Sequence, residues 1–378
     1  MNILIIGNGF DLAHGLPTTY KNFLDFACIF KQYYYKESNK EQFRCGEKYE
    51  NYKNYIIELF EKSLQNEQEG SLFEELGKLI IDNRWLEYFG KINKDGGWID
   101  FESEISKVVQ TLDKVRKSRD EEVKSDPEIK EFTLEKYDQN ILKEIGIKSL
   151  KMGVGEVEKI KNSLLDDLNK LIRCWEIYLD DYVGRVTLQV KLPDITEQTI
   201  HHVLSFNYTD TFERLYAQDQ SEVIDYDYIH GKINPNSSVE TCNLVLGIDE
   251  YLVGEAKRRD NEYIQFKKFY QRIYKKTGCK YVNWVKNVKR FPQGYESFSN
   301  NIYILGHSLD VTDGDILSSL INMPDTKTTI FYHSQEALGN QINNLVKIIG
   351  EEELIRKVHG ADASIVLQKQ QEPIKIES

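Results

Sequence analysis

The sequence predicts an α/β fold: a parallel sheet interrupted after its first strand and helix by a long helical insertion. Three observations predict it. A short aliphatic run, Ile3–Ile6, opens the chain and breaks at two glycines one residue apart, Gly7 and Gly9. From Tyr20 to about Val183 the apolar residues recur at helical spacing. After Pro193 short apolar runs alternate with polar turns and helical patterns, as strands of a parallel sheet do.

A four-residue apolar run bounded by glycine reads as a strand covered on both faces. Glycines at its end let the backbone turn sharply and approach a ligand, because no Cβ intervenes. A following helix start suits phosphate. The spacing lacks the third glycine of the dinucleotide fingerprint, since Leu12 stands there. A tight turn after a buried strand therefore reads equally well from this segment alone.

In the insertion, Ser71-Leu-Phe-Glu74 has the form of a capping box ahead of Leu76, Leu79, Ile80 and Trp85. Ile105, Val108, Val109, Leu112 and Val115 form a second stripe, and Leu164, Leu165, Leu168, Leu171, Ile172, Trp175 and Leu179 a third. Such stripes are core, so no chemistry is assigned to them. The charge-dense section from Asp113 to about Asp138, with Pro127 inside it, reads as an exposed connector with some helix. Further strands are expected at Ile200–Phe206, Asp227–Ile229, Leu244–Gly247, Ile302–Leu305, Thr328–Tyr332 and Ala363–Leu367, with helices at Asp210–Tyr216 and Gln335–Ile349. The first strand finds partners only there. Residues 1–20 plus 195–378 are thus expected to form one α/β domain, and 21–194 a helical insertion.

Bulk properties narrow the class. The 378 residues carry 61 acidic against 49 basic side chains, a net charge of −12 that disfavours extended nucleic-acid binding. One basic run (Lys267, Lys268, Arg272, Lys275, Lys276, Lys280, Lys286, Lys289, Arg290) reads as a solvated surface. Five scattered cysteines without a CxxC indicate neither a zinc ribbon nor a disulfide framework, and free buried thiols in a reducing compartment are expected. With no leader pattern and no apolar run near the roughly 20 residues of a membrane span, a cytoplasmic location is expected.

Three more strand ends carry unusual residues. Ser205-Phe-Asn207-Tyr-Thr-Asp-Thr211 runs from a strand into a helix start, and Asn207 there reads either as a site residue or as a turn cap. Tyr228-Ile-His230-Gly231 delivers a histidine at a strand end, where it is either catalytic or a hydrogen-bonded structural residue. Leu305-Gly306-His307-Ser308-Leu-Asp310 ends another strand in Gly-x-Ser, which suits phosphate contact through N–H and hydroxyl groups. In an open α/β sheet ligands bind at the carboxyl ends of strands, so these loops are expected to converge.

Gly7-Asn-Gly-Phe-Asp-Leu-Ala-His-Gly-Leu-Pro-Thr18, Trp98-Ile-Asp-Phe-Glu102, Ser205–Thr211, Ile229-His-Gly231 and Gly306-His-Ser-Leu309 resemble the AbiH-type bacteriophage abortive-infection family from end to end. That resemblance implies phage defence by shutting down the infected cell. The order of loops also resembles the sirtuin-like NAD-binding domains of defence proteins, which implies a Rossmann-like (sirtuin-like) sheet. Carried over position by position, Gly7, Gly9, Gly306 and Ser308 would hold phosphate and ribose, while Asn207 and His230 would cleave the nicotinamide–ribose bond. Asn8, Phe10, Asp11, Gly15, Thr18, His307 and Asp310 complete the expected dinucleotide-binding set. Asn8 and Asp11 differ from the residues usual at those places, and Asn207-Tyr208-Thr209 replaces the usual Asn-Tyr-Asp. Without zinc-ribbon cysteines or a peptide groove, protein deacylation is not expected.

The leading expectation is an NAD glycohydrolase with NAD as substrate and no required metal. A second reading takes Asp11, His14, His230, His307, Asp310, Asp313 and Asp315 as ligands of a metal-dependent phosphodiesterase. A third takes the chain as a non-enzymatic nucleotide-sensing module. Expected partners are a nucleotide or dinucleotide and a second copy of the chain or a defence-system partner, but no membrane.

Overall fold

The computed structural model describes residues 1–36, 43–65, 71–93, 97, 99–124, 135–147, 154–220, 222–288, 300–361 and 363–376. The chain divides into two compact units. One, α/β, comprises residues 1–18, 183–233 and 275–378; the other, helical, comprises 19–182 and 234–274. Residues 234–274 thus group with the helices, not with the sheet as the sequence division had them.

The α/β unit is built on six parallel strands: β1 (Asn2–Ile6), β2 (His202–Ser205), β3 (Asp225–Tyr228), β4 (Asn300–Leu305), β5 (Thr326–Tyr332) and β6 (Ile365–Lys369). Their spatial order is β3-β2-β1-β4-β5-β6. This is the doubly wound order, whose reversal of direction between β1 and β4 marks the crevice where such sheets bind ligands. Register aligns the strand ends. Ile6 lies opposite Ser205 on one side and Leu305 on the other, and Ser205 lies opposite Tyr228. The next residues, Gly7, Phe206, Ile229 and Gly306, therefore leave the sheet at one level.

β1 is apolar throughout because both its faces are covered. Ile3 and Ile5 pack with Leu204, Ile302, Ile304, Ile330, Leu317 and Leu345 on one face. Leu4 and Ile6 pack with Val203, Phe10, Phe212 and Tyr216 on the other. Each such side chain contributes about 1.5–3 kcal/mol on full burial.

In the helical unit the three apolar stripes are core, with Trp85, Ile105, Val108, Leu164, Leu168 and Trp175 buried. Ser71 caps its helix by accepting from the Glu74 N–H. Leu244–Gly247 is not a strand. Gln271 bonds both backbone groups of Leu246, and the Ile248 N–H donates to the Phe266 carbonyl, so side chain and turn replace a ladder. The charge-dense section is not an exposed connector at its ends. Asp113, on helix Phe101–Lys124, is buried against Arg116 and Lys117, and Asp138, on helix Lys136–Glu144, against Lys114. Its middle, with Pro127, lies outside the described residues, as do Trp98, Lys289 and Arg290. The basic run is not uniformly solvated either: Lys267 and Lys268 are buried against Glu250 and Glu102. All five cysteines are free thiols; Cys174 and Cys242 are buried, whereas Cys28 and Cys279 are exposed. Among the described residues no helix is long and apolar enough to cross a membrane.

Candidate functional site

The two glycine loops flanking the sheet's reversal point are packed backbone against backbone. The Gly7 N–H donates to the Leu305 carbonyl (3.3 Å), and the Gly9 N–H to the Gly306 carbonyl (2.8 Å). A Cβ on Gly7 would meet the His307 Cα at 2.8 Å, and one on Gly9 the Gly306 carbonyl oxygen at 2.8 Å. Gly306 has φ +68°, and a Cβ there would lie 2.0 Å from the Phe10 nitrogen. The glycines are thus required for loop-to-loop contact, and the amides of Gly7, Gly9 and Phe10 are spent inside the protein, the last on the Gly7 carbonyl. Thr18 donates to the Asn8 side-chain oxygen at 2.7 Å, closing the segment between them. Gly15 supplies the left-handed turn that follows the first helix (φ +78°).

Asn207, buried at the end of β2, donates its amide to the Gly7 carbonyl at 3.0 Å and ties a third loop to the first two. Two residues on, the Thr209 hydroxyl donates to Asp11 Oδ2 at 2.6 Å, and Thr211 donates to Thr209. The other oxygen of Asp11 is buried without a hydrogen-bond partner. Burial pushes the Asp11 carboxyl up to about 6, against the smaller opposing effect of the Thr209 hydrogen bond and of the nearby Thr211 and Asn207 side chains. Phe10 faces the core and not the loop opening.

His230 leaves the end of β3, with Gly231 in the left-handed region (φ +82°) turning the chain after it. Its Nε2 lies 3.7 Å from Asp313 Oδ1, and the His307 Nε2 lies 3.6 Å from Asp313 Oδ2. The Phe206 ring stands edge-on to His307 (4.3 Å between centroids) and to His230 (5.8 Å), shielding both imidazoles. Leu309, itself at φ +57°, donates its N–H to His307 Nδ1 at 2.9 Å. A nitrogen that accepts carries no proton, so His307 is held as the Nε2–H tautomer. Helix Gln335–Ile349 steadies this loop: Gln341 donates to the His307 carbonyl and Asn344 to that of Ser308. Ser308 and Asp310 are exposed, and Asp310 caps the turn by accepting from the Thr312 N–H.

His14 is a structural residue. The Phe10 carbonyl can only accept, so Nδ1 donates to it (2.7 Å); Nε2 then accepts from the Tyr216 hydroxyl (2.7 Å). Tyr216 in turn accepts from the Leu192 N–H. Both ring nitrogens are used, and burial lowers the pKa of His14. The Asp11–His14 ligand pair of the metal reading is therefore lost. Among the described residues no group of three or more His, Cys, Asp or Glu side chains is arranged to hold a metal ion.

These loops recur in a known family. The family model for bacteriophage abortive infection AbiH matches residues 3–333, from the first strand through β5 and the turn after it. The chain belongs to the AbiH family. No curated protein matches it. Membership gives this AbiH chain its role at the level of the cell, abortive infection against bacteriophage. The matched span contains every strand-end residue of the site.

Sequence reasoning placed Gly7, Asn207, His230 and Gly306 at strand ends, and the structure brings these to one edge of this AbiH fold. It missed Thr209 and Thr211, which stand in the segment read only as a strand running into a helix start. It read Asp313 only as a metal ligand, not as a carboxylate between two histidines.

Proposed function

We propose that the protein executes abortive infection by hydrolysing NAD at the nicotinamide–ribose bond. The observation that carries this reading is the register of β3, β2, β1 and β4, which aligns the strand ends bearing His230, Asn207, Gly7 and Gly306, the two glycines flanking the reversal of strand order. Dinucleotides bind at such reversals, and a histidine such as His230 exchanges a proton near neutral pH.

In this reading the ribose C1′–N bond breaks with its electron pair going to nicotinamide, which leaves neutral. Water adds to C1′, its oxygen forming the new bond and its surplus proton passing to His230 and then to solvent. Asn207 orients the ribose or the water through its amide group. The buried wall of Phe206 and Tyr208 shields the cationic transition state from bulk water. The interlocked glycines keep these strand ends fixed while the ribose distorts.

Mass spectrometry of NAD and its products in phage-challenged cells tests the proposal, comparing wild type with His230→Ala. Loss of NAD with release of nicotinamide in the wild type alone is expected. Stable NAD during a successful defence overturns it.

A further inference from the structure

We propose that Asp313 and His307 form, with His230, a positioning relay in which one carboxylate holds the catalytic imidazole in place. The inference rests on the NAD-cleaving reading for the reaction, but its geometry stands independently. Asp313 offers one oxygen to each histidine, Oδ1 to His230 and Oδ2 to His307, at 3.7 and 3.6 Å. The two imidazoles come from different strand ends, and Asp313 sits on the turn Val311–Asp313 that leads into helix Gly314–Ile321. The carboxylate is largely shielded from solvent, so its charge acts at short range with little screening.

The order of the relay follows from donors and acceptors. The Leu309 N–H occupies Nδ1 of His307 and leaves Nε2–H to face the carboxylate. His307 is thereby a neutral donor whose Nε2–H faces Oδ2 at 3.6 Å. Oδ1 is turned to His230, whose Nε2 proton it accepts once the pair tightens on substrate binding, as catalytic contacts commonly do. Asp313 also stabilises the imidazolium formed when His230 takes the proton from water. His307, in the expected dinucleotide-binding set by sequence, is assigned here to this relay. The Tyr208 ring, 6.2 Å between centroids, and the apolar Phe206 also pack against the His230 imidazole.

The test uses the purified full chain. Asp313→Asn is expected to lower kcat/KM for NAD by about 10²–10³-fold with KM little changed. The acidic limb of the pH profile should move down by about one unit, because the anion that favours imidazolium is gone. His307→Gln, which keeps an acceptor and a donor, should retain more activity than His307→Ala. Thermal melts of each variant exclude unfolding as the cause. NMR titration of the His230 imidazole, assigned by its absence in His230→Ala, reads the relay without any turnover. If the wild type does not cleave NAD, the proposed function fails while this titration still decides the relay. A lower His230 pKa in Asp313→Asn supports the relay; identical titration in both proteins overturns it.

Discussion

Gly306 closes on Phe10 so tightly that a methyl group on its Cα would sit 2.0 Å from the Phe10 nitrogen. The clash is with backbone, which cannot swing away, and φ of +68° already disfavours any side chain there. Gly306→Ala is expected to destabilise the protein by about 2–4 kcal/mol. Gly15 is the control. It too has positive φ, but open space surrounds it, so Gly15→Ala should cost only about 1 kcal/mol. Thermal unfolding of the two variants separates strain from collision; equal losses would show that the loops do not interlock.

That pair also shows where the sequence was legible. Gly-x-Gly after an aliphatic run does report close approach of a backbone, but the approaching group is the β4 loop at Gly306, at the far end of the chain. Nothing local distinguishes a phosphate from a peptide as the neighbour of a glycine. The strands themselves were readable because Ile3–Ile6 of β1 and Ile302–Leu305 of β4 are apolar runs packed into the core on both faces of the sheet. Leu244–Gly247 has the same composition and is not a strand, since its backbone partners are a glutamine side chain and a turn. Burial follows composition; pairing does not. For the same reason His14 looked like a ligand until Phe10 and Tyr216 were found on its two nitrogens, whereas the order of strands that brings His230 to Asp313 leaves no mark in either segment.

In the helical unit Arg173 donates to Glu75 at 2.9 Å and to Glu176 at 2.7 Å, and Glu176 also accepts from the Asn234 N–H. Glu176 is fully buried. Arg173→Met leaves that carboxylate unpaired and is expected to cost about 3–5 kcal/mol. Adding Glu176→Gln removes the charge while keeping an acceptor for Asn234, and should recover most of the loss. Urea unfolding midpoints of the single and double variants check this; a double variant no better than Arg173→Met would mean that packing, not charge, is at stake.

Tyr216 links His14 to the Leu192 N–H, so Tyr216→Phe strands two buried polar groups at once. A loss of roughly 1–3 kcal/mol per stranded group is the expectation. The wild-type pH dependence has a defined sign here. Burial keeps His14 neutral in the fold, whereas the unfolded chain takes up a proton below the ordinary histidine value of 6.5. Stability contributed by this site is therefore present above that pH and lost as pH falls below it. His14→Gln should flatten this limb in chemical unfolding measured from pH 7.5 to 5.5, and an unchanged limb would place the proton uptake elsewhere.

Asp11 acts in the opposite direction. Its carboxyl is raised from 3.8 to about 6 by burial, so between those values the folded chain holds a proton that the unfolded chain has released. Stability falls as pH rises through that window, and the penalty is complete above about 6. At neutral pH the protein thus carries a buried charge with one oxygen unpartnered, eased only by Thr209 and its neighbours. Asp11→Asn removes the charge while its amide oxygen still accepts from Thr209. The variant is expected to be more stable than wild type by roughly 1–3 kcal/mol at pH 7.5. Because His14 is unchanged in both proteins, its titration cancels in the difference. The gap should therefore shrink to a fraction of itself at pH 4, where the folded wild type is protonated at Asp11. Urea unfolding at the two pH values measures it; a gap of the same size at both would mean that Asp11 does not change protonation between them, and that Thr209 and Thr211 hold the carboxylate far more strongly than their hydrogen bonds suggest.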